Sequence, residues 1–406
     1  MASQPDSRSE FEIAIVFALS REYNSVSRLV DQFWETNCGR AAGDSNAYVT
    51  GRIGDFNIVL LCLSDVGKSS AASTTACLRM IFLELKLVLL PGICGGVPSP
   101  GMGEELLLGD VVIDKTVVQY DLGKRYPERF QTKDNLDDSL GRLTKNAGNF
   151  VTSFEKDMER EKLEERAASH LAKIQTLALG KQRKTSYQYL GAIIDVLFKA
   201  NYRHRHQNTS QKLCDECNGA SGAACEESRR LSCKNLGCDE NELLQCERLK
   251  EKQDLESSGL IKESQASYVF VGRFGSGDTV LTSGEKRNTI AKRQGVMAFK
   301  MEGARVWDEI PCIIAKGVCD YTDSHKNDLW QDFAAAPAAG VTMALIEQYP
   351  QADKPPSNKP RVGLIEDAQP GRGSVQTGSV SGSNVLTGFE SSGGTQNFNF
   401  VLWSRG

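Results

Sequence analysis

Short apolar runs at residues 11–17, 57–64, 85–90, 110–114, 268–272 and 312–319 alternate with segments of helical period, and this alternation limits the fold most. It predicts an α/β domain in three layers, α/β/α, around a central mixed sheet. Open α/β sheets bind ligands beyond the carboxyl ends of their strands. Two carboxylates fall at such ends: Glu302, where a strand hands over to a helix, and Asp320, just past the run 312–319. Acids there suit acid/base chemistry on a polar small molecule, although an acid at a helix start also serves as a cap.

The first strand is expected at 11–17, with a helix from Ser20 to about Trp34. Residues 48–54 and 57–64 read as a hairpin turning near Gly54-Asp55. A small-residue-rich helix follows at 68–83, then a strand at 85–90, the loop Gly92-Ile-Cys-Gly-Gly96 and a strand at 110–114. Between about 132 and 265 the strand signals stop. Amphipathic helix is expected over 139–180 and again over 186–199, before a cysteine-rich segment. A helical detour between two halves of an α/β pattern reads as an insertion, so residues 132–265 are expected to lie within a domain spanning 11–350. The last helix is expected over 328–349, with Pro337 kinking or splitting it. Residues 351–406 are rich in Gly, Ser, Pro, Asn and Gln and read as a flexible low-complexity tail.

With 40% hydrophobic and 25% charged residues the chain is ordinary for a soluble globular protein. A net charge of -4 argues against a nucleic-acid or membrane surface. The polar first ten residues lack a signal peptide's apolar core, and no apolar run reaches the roughly 20 residues of a spanning helix. A cytoplasmic location is the expectation. Of the twelve cysteines, six lie between Cys214 and Cys246. Together with His204 and His206, the pair Cys214-x-x-Cys217 and the later Cys225, Cys233, Cys238 and Cys246 are compatible with structural zinc, but a second short pair is missing. No catalytic metal or other cofactor is expected.

Gly67-Lys68-Ser69 after a strand resembles part of a phosphate loop, but Cys62 occupies the position that needs the first glycine. A glycine turn opening a helix remains, whose N–H groups can hold an anion or a water. Gly92–Gly96 and Gly275-Ser-Gly-Asp278 are further glycine loops at strand ends. Each alone is a plain turn; three together, beside Glu302 and Asp320, imply one shared pocket edge.

The sequence stretches Ile13-Ala-Ile-Val-Phe-Ala-Leu-Ser-Arg-Glu22, Ser64-Asp-Val-Gly-Lys68, Gly92-Ile-Cys-Gly-Gly96, Gly109-Asp-Val-Val112, Ser276-Gly-Asp278, Met301-Glu-Gly303 and Cys319-Asp320 occur together and in this order. In them the chain resembles the purine nucleoside/uridine phosphorylase superfamily, including methylthioadenosine/adenosylhomocysteine nucleosidases. It is similar in particular to the domains found in fungal NLR-type and ankyrin-repeat proteins, as the insertion and the residues 320–327 also suggest. The resemblance implies N-glycosidic cleavage of a purine nucleoside or nucleotide of the adenosine, inosine or ATP class, and a homodimer or homotrimer.

By the same resemblance Glu22 would activate the attacking water, Glu302 would bind the ribose hydroxyls, Met301 would pack on the sugar and Asp320 would serve the purine N7, with Asp323 as its rival. Val280 and Leu281 would contact the base, while Gly67, Cys94, Gly95 and Cys319 complete the substrate loops. The chemistry agrees: breaking C1′–N9 leaves positive charge on the sugar and negative charge on the base, so a carboxylate near one and a proton donor near the other both lower the barrier. Hydrolysis is favoured over phosphorolysis because Ser64-Asp-Val-Gly-Lys68 resembles the nucleosidase branch and Glu22 stands where that branch has its water-activating acid; phosphate would need fixed cations, for which Arg21, Lys68 and Arg125 are the candidates. Lys300, where many relatives carry an acid, and Arg305, where a small residue is usual, depart from the pattern. They keep open a shift toward phosphorylated substrates, or a catalytically dead nucleoside-binding scaffold. His325 is expected to hydrogen-bond within its loop.

Overall fold

A computed structural model describes residues 3–35, 43–63, 68–101, 103–127, 130–132, 143–179, 186–207, 214–218, 224–301, 306 and 309–350. The tail 351–406 lies outside them. The apolar runs become strands of one nine-stranded mixed sheet, ordered β10-β9-β6-β11-β5-β1-β4-β3-β2. β1 (Ile13–Phe17) is buried at every position and runs parallel between β4 (Phe56–Cys62) and β5 (Leu87–Gly96). β5 also pairs in parallel with β11 (Ile313–Asp320), again buried throughout. β6 (Val111–Gln119) is antiparallel to β11 and parallel to β9 (Val269–Ser276). β10 (Val296–Lys300) is parallel to β9 and returns antiparallel to the end of β5, so five strands close into a ring. β7 (Gly123–Arg125) and β8 (Phe130–Thr132) form a separate two-stranded ladder.

Three expectations need correction. The helix leaving β1, α1 (Ser20–Ser27), stops well short of Trp34. Gln32 and Phe33 instead form β2, antiparallel to β3 (Tyr48–Ile53), because the open edge of the β3–β4 hairpin supplies hydrogen-bond partners that a helix could not use. The glycines of 92–96 extend β5 rather than leaving it as a loop, and Gly275 and Ser276 likewise end β9. Residues 186–199 are irregular apart from a 3-10 turn, Ala192–Ile194, and a single antiparallel bridge from Phe198 to Leu243. Tertiary bonds fix this segment: Glu256 accepts from Ala192 N (2.6 Å), and Asp195 accepts from Tyr321 Oη (2.8 Å) and Leu108 N (3.2 Å).

The helix α2 (Lys68–Ile81) buries Ala71 and Leu78, whereas α3 (Lys145–Ser153) buries Ala147 and Val151. α4 (Asp157–Leu179) turns Leu163, Leu171 and Ile174 inward against the closing helix, Gln331–Gln348. That helix is one run containing Pro337, with every residue from Phe333 to Ile346 buried, so apolar packing holds it despite the bond proline removes. Arg248 forks onto Asp110 at 2.8 and 3.0 Å and stacks 3.8 Å over the Tyr268 ring, tying the helix Glu247–Ser257 to the start of β6.

Candidate functional site

The register of β10 and β11 against β5 brings three strand ends together. Ala298 and Phe299 pair with Gly96 and Gly95, and Asp320 faces Gly95 after a shift in the β11 ladder. The strand ends surround a cavity of about 190 Å3. Cys94, Gly95, Val280, Leu281, Met301, Cys319 and Asp320 all line it. Glu302 and Gly67 lie outside the described residues, as do Arg305 and the side chains of Lys68 and Arg125. Arg21 pairs with Asp332 of the closing helix at 2.8 Å and does not line the cavity.

Glu22, 1% exposed, sits in the first turn of α1 and reaches back under the sheet. Its Oε2 accepts from the N–H groups of Ala18 and Leu19, both at 2.9 Å. Its Oε1 accepts from Ile93 N (2.9 Å) and from Lys316 Nζ (3.2 Å), and Ile93 is part of the cavity wall. A carboxylate offers about four lone-pair sites, and here each has a donor. Gly92 makes room for this: its φ is +144°, and a Cβ would stand 1.8 Å from Glu22 Oε1.

Asp320 stands on the neighbouring strand, facing Gly95. Its Oδ1 accepts from Thr322 N (2.8 Å), and its Oδ2 is ion-paired with Lys326 and receives the Cys319 thiol at 3.4 Å. Burial works against the Lys326 charge, but Asp320 and its neighbours outweigh it and raise the lysine's pKa. Burial favours the neutral form of the cavity thiols, pushing Cys94 up to about 12 and Cys319 well above its usual value. Lys300 also lines the cavity, with Nζ 4.9 Å from the Phe274 ring centre. Near it, burial pushes the Asp114 carboxyl up to about 7, against the pull of Lys300 and the Ile314 N–H. Asp323 lies outside the cavity wall, accepting from His325 N (2.8 Å) and 3.8 Å from Arg287.

Sequence reasoning passed over Lys316, Lys326, Thr322 and Tyr120. Lys316 carried a signal, a lone charge inside an apolar run, which calls for a buried partner. Thr322 carried none. Its φ of +55° is rare for a β-branched residue, and among the described residues its buried Oγ1, on the cavity wall, has no hydrogen-bond partner. Such strain and an unmet hydroxyl are features of ligand sites. Tyr120 closes one side, donating to Thr279 O (3.0 Å) and packing edge-on against Phe299.

Residues 12–174 match the Phosphorylase superfamily. The chain is 25% identical over 353 residues to a nucleotide-binding leucine-rich repeat (NLR)-like protein of Hyaloscypha variabilis, an alignment that takes in 85% of this chain but 30% of that protein. Among solved structures it is similar to futalosine hydrolase of Helicobacter pylori (14% identity, TM-score 0.45, 84% of this chain and 99% of that one). It is also similar to the methylthioadenosine/S-adenosylhomocysteine nucleosidase of Neisseria meningitidis (16% identity, TM-score 0.42, 83% and 98%). Through residues 12–174 and the sheet they belong to, the chain resembles the phosphorylase superfamily and has a nucleoside phosphorylase-like α/β fold.

Proposed function

We propose that the protein cleaves the N-glycosidic bond of a purine nucleoside or nucleotide, with water as nucleophile, and releases the free base. The observation that carries this reading is the Asp320–Lys326 pair, an acid and an ammonium on the cavity wall, the acid on the strand that pairs with the Glu22-braced end of β5. As C1′–N9 breaks, its electron pair passes to the base. The Asp320–Lys326 pair supplies a hydrogen bond and a proton at N7, which relieves that charge. Water adds to C1′ and gives up its proton to Glu22. For this, one of the four contacts on Glu22 must open, and Lys316, the longest at 3.2 Å, is the one to yield. Glu302 is assigned to the ribose hydroxyls and Met301 to the sugar face.

A second reading has its own support. Lys300 and Lys326 both line the cavity, and two lysines favour an anion there, either phosphate as nucleophile or a phosphorylated sugar. The test is base release from adenosine, inosine, guanosine and ATP, with and without phosphate, for wild type and Asp320→Asn. Release without phosphate, lost in the variant, supports the hydrolase. Release only with phosphate makes the protein a phosphorylase. Nucleoside binding without release under either condition makes it a binding scaffold.

A further inference from the structure

Two clusters of metal-ligating side chains lie in the cysteine-rich segment, outside the cavity. In one, His206 Nδ1 and the sulfurs of Cys214, Cys217 and Cys225 all fall within 4.8 Å of one another; in the other, His204 Nδ1 does so with Cys233 and Cys238. We propose that these are two zinc sites, and that the second fastens the loop carrying Asp320 and Lys326.

The distances favour metal over simple hydrogen bonding. His206 Nδ1 lies 3.6 Å from Cys217 Sγ and 3.5 Å from Cys225 Sγ. His204 Nδ1 lies 3.7 Å from Cys233 Sγ and 3.8 Å from Cys238 Sγ. Zinc bonds of about 2.3 Å to sulfur and about 2.0 Å to nitrogen, set tetrahedrally, require N···S edges of about 3.6 Å. One imidazole nitrogen has one lone pair, which a single thiol would satisfy. In both clusters two sulfurs approach the same nitrogen at nearly equal distance, which an ion placed between them accounts for. Disulfides do not, since all five cysteines are free.

Outer contacts hold the ligands in the right state. Leu231 O, which can only accept, lies 2.8 Å from His204 Nε2. The proton is therefore on Nε2, and Nδ1 presents its lone pair to the two sulfurs. Ser228 N donates to Cys225 Sγ at 3.3 Å, as a backbone N–H does to a metal-bound thiolate. The first set, Cys3His, is a full tetrahedral set for zinc; the second, Cys2His, supplies three of the four positions and leaves the fourth to water, and thiolate-rich sets of this kind select zinc among the available divalent ions. Cys246 takes part in neither cluster and instead packs beside Leu249.

The second site reaches the active-site loop. His204 N donates to Ser324 Oγ (2.9 Å), and Ser324 stands between Asp320 and Lys326. The His325 ring stacks on Phe198 at 4.0 Å and meets the His204 ring edge-on at 5.2 Å. An ion on His204 therefore fixes the ring against which the loop packs.

The test uses the full chain, purified without chelator and reconstituted with zinc under reducing, anaerobic conditions. Elemental analysis is expected to find two zinc ions per chain, one lost in His206→Ala and the other in His204→Ala. Cobalt substitution of the unmutated protein, if the variants do not fold, should give thiolate charge-transfer bands for both sites. Amide exchange over residues 321–326 should speed up at least tenfold in His204→Ala and stay unchanged in His206→Ala. Fewer than two zinc ions in the reconstituted wild type, or disulfides among these cysteines after purification, would overturn the two-site proposal. Equal exchange in the two variants would overturn the loop attachment. None of these readouts depends on base release, so the metal proposal and the proposed activity fail separately.

Discussion

The cavity is flanked by two lysine–carboxylate pairs built on opposite terms. Glu22 and Lys316 are both 1% exposed, and three backbone N–H groups share the carboxylate. Asp320 is 4% exposed, but its partner Lys326 keeps 29% of its side chain in solvent. The first pair was desolvated on folding, and its carboxylate takes up a proton only if its longest contact, Lys316 at 3.2 Å, opens. The second has a cation on a flexible stem at the mouth of the cavity, where a ligand can take its place. One pair is framework that also borders the chemistry; the other is free to act.

The largest effect should come from Asp320→Asn, which keeps the shape of the rim pair while removing its charge. Base release is expected to fall by about 10²- to 10⁴-fold with little change in thermal midpoint; a tenfold loss or less would place the acid elsewhere. Lys316→Met should leave Glu22 as a buried charge without its cation and destabilise the fold by about 3–5 kcal/mol, read from urea unfolding. A smaller loss would mean that the three N–H groups suffice for Glu22.

Asp114 sharpens the contrast: it is buried, and its Oδ1 accepts from the Ile314 N–H (2.6 Å). Its carboxyl titrates near 7 in the folded chain and near 4 when unfolded. Between these values the unfolded chain releases a proton that the folded one keeps, so this group's contribution to stability falls as pH rises from about 4 to about 7 and then levels off. Asp114→Asn should abolish that decline, amounting to a few kcal/mol in urea midpoints measured across pH. A smaller loss of stability than for Lys316→Met is expected of Lys326→Met: it too leaves a buried carboxylate, but Lys326 keeps 29% of its side chain in solvent, so water replaces part of the lost cation. Its effect on base release should exceed its effect on stability, and Lys326→Arg should restore part of it.

The strand runs and the carboxylate at the end of β11 were legible because burial writes apolar character into successive residues. What periodicity could not show was set by distant partners. The end of α1 depends on β3, and the irregular course of residues 186–199 depends on Glu256 and Tyr321. Lys316 looks like a flaw in an apolar strand until Glu22, 294 positions earlier, is placed beside it. In the sequence His204 and His206 stand two positions apart and look like members of one ligand set. The fold separates His204 from His206 and sets Cys233 and Cys238, with four residues between them, beside His204 alone.

The ring that β10 closes has a consequence for biosynthesis. The inner edge of β5 is completed late: Leu89 waits for Ile313 and Gly96 for Ala298. While the chain emerges from the ribosome, the apolar stretch Leu87–Gly96 can pair with β1 but has no partner on its other side until most of the domain has been made. Contacts so distant in sequence form slowly, and an open apolar strand edge is a template for wrong pairing. The protein should therefore depend on chaperones during synthesis more than its final stability suggests, and shortening from the C-terminus past Asp320 should yield aggregate rather than a smaller folded domain.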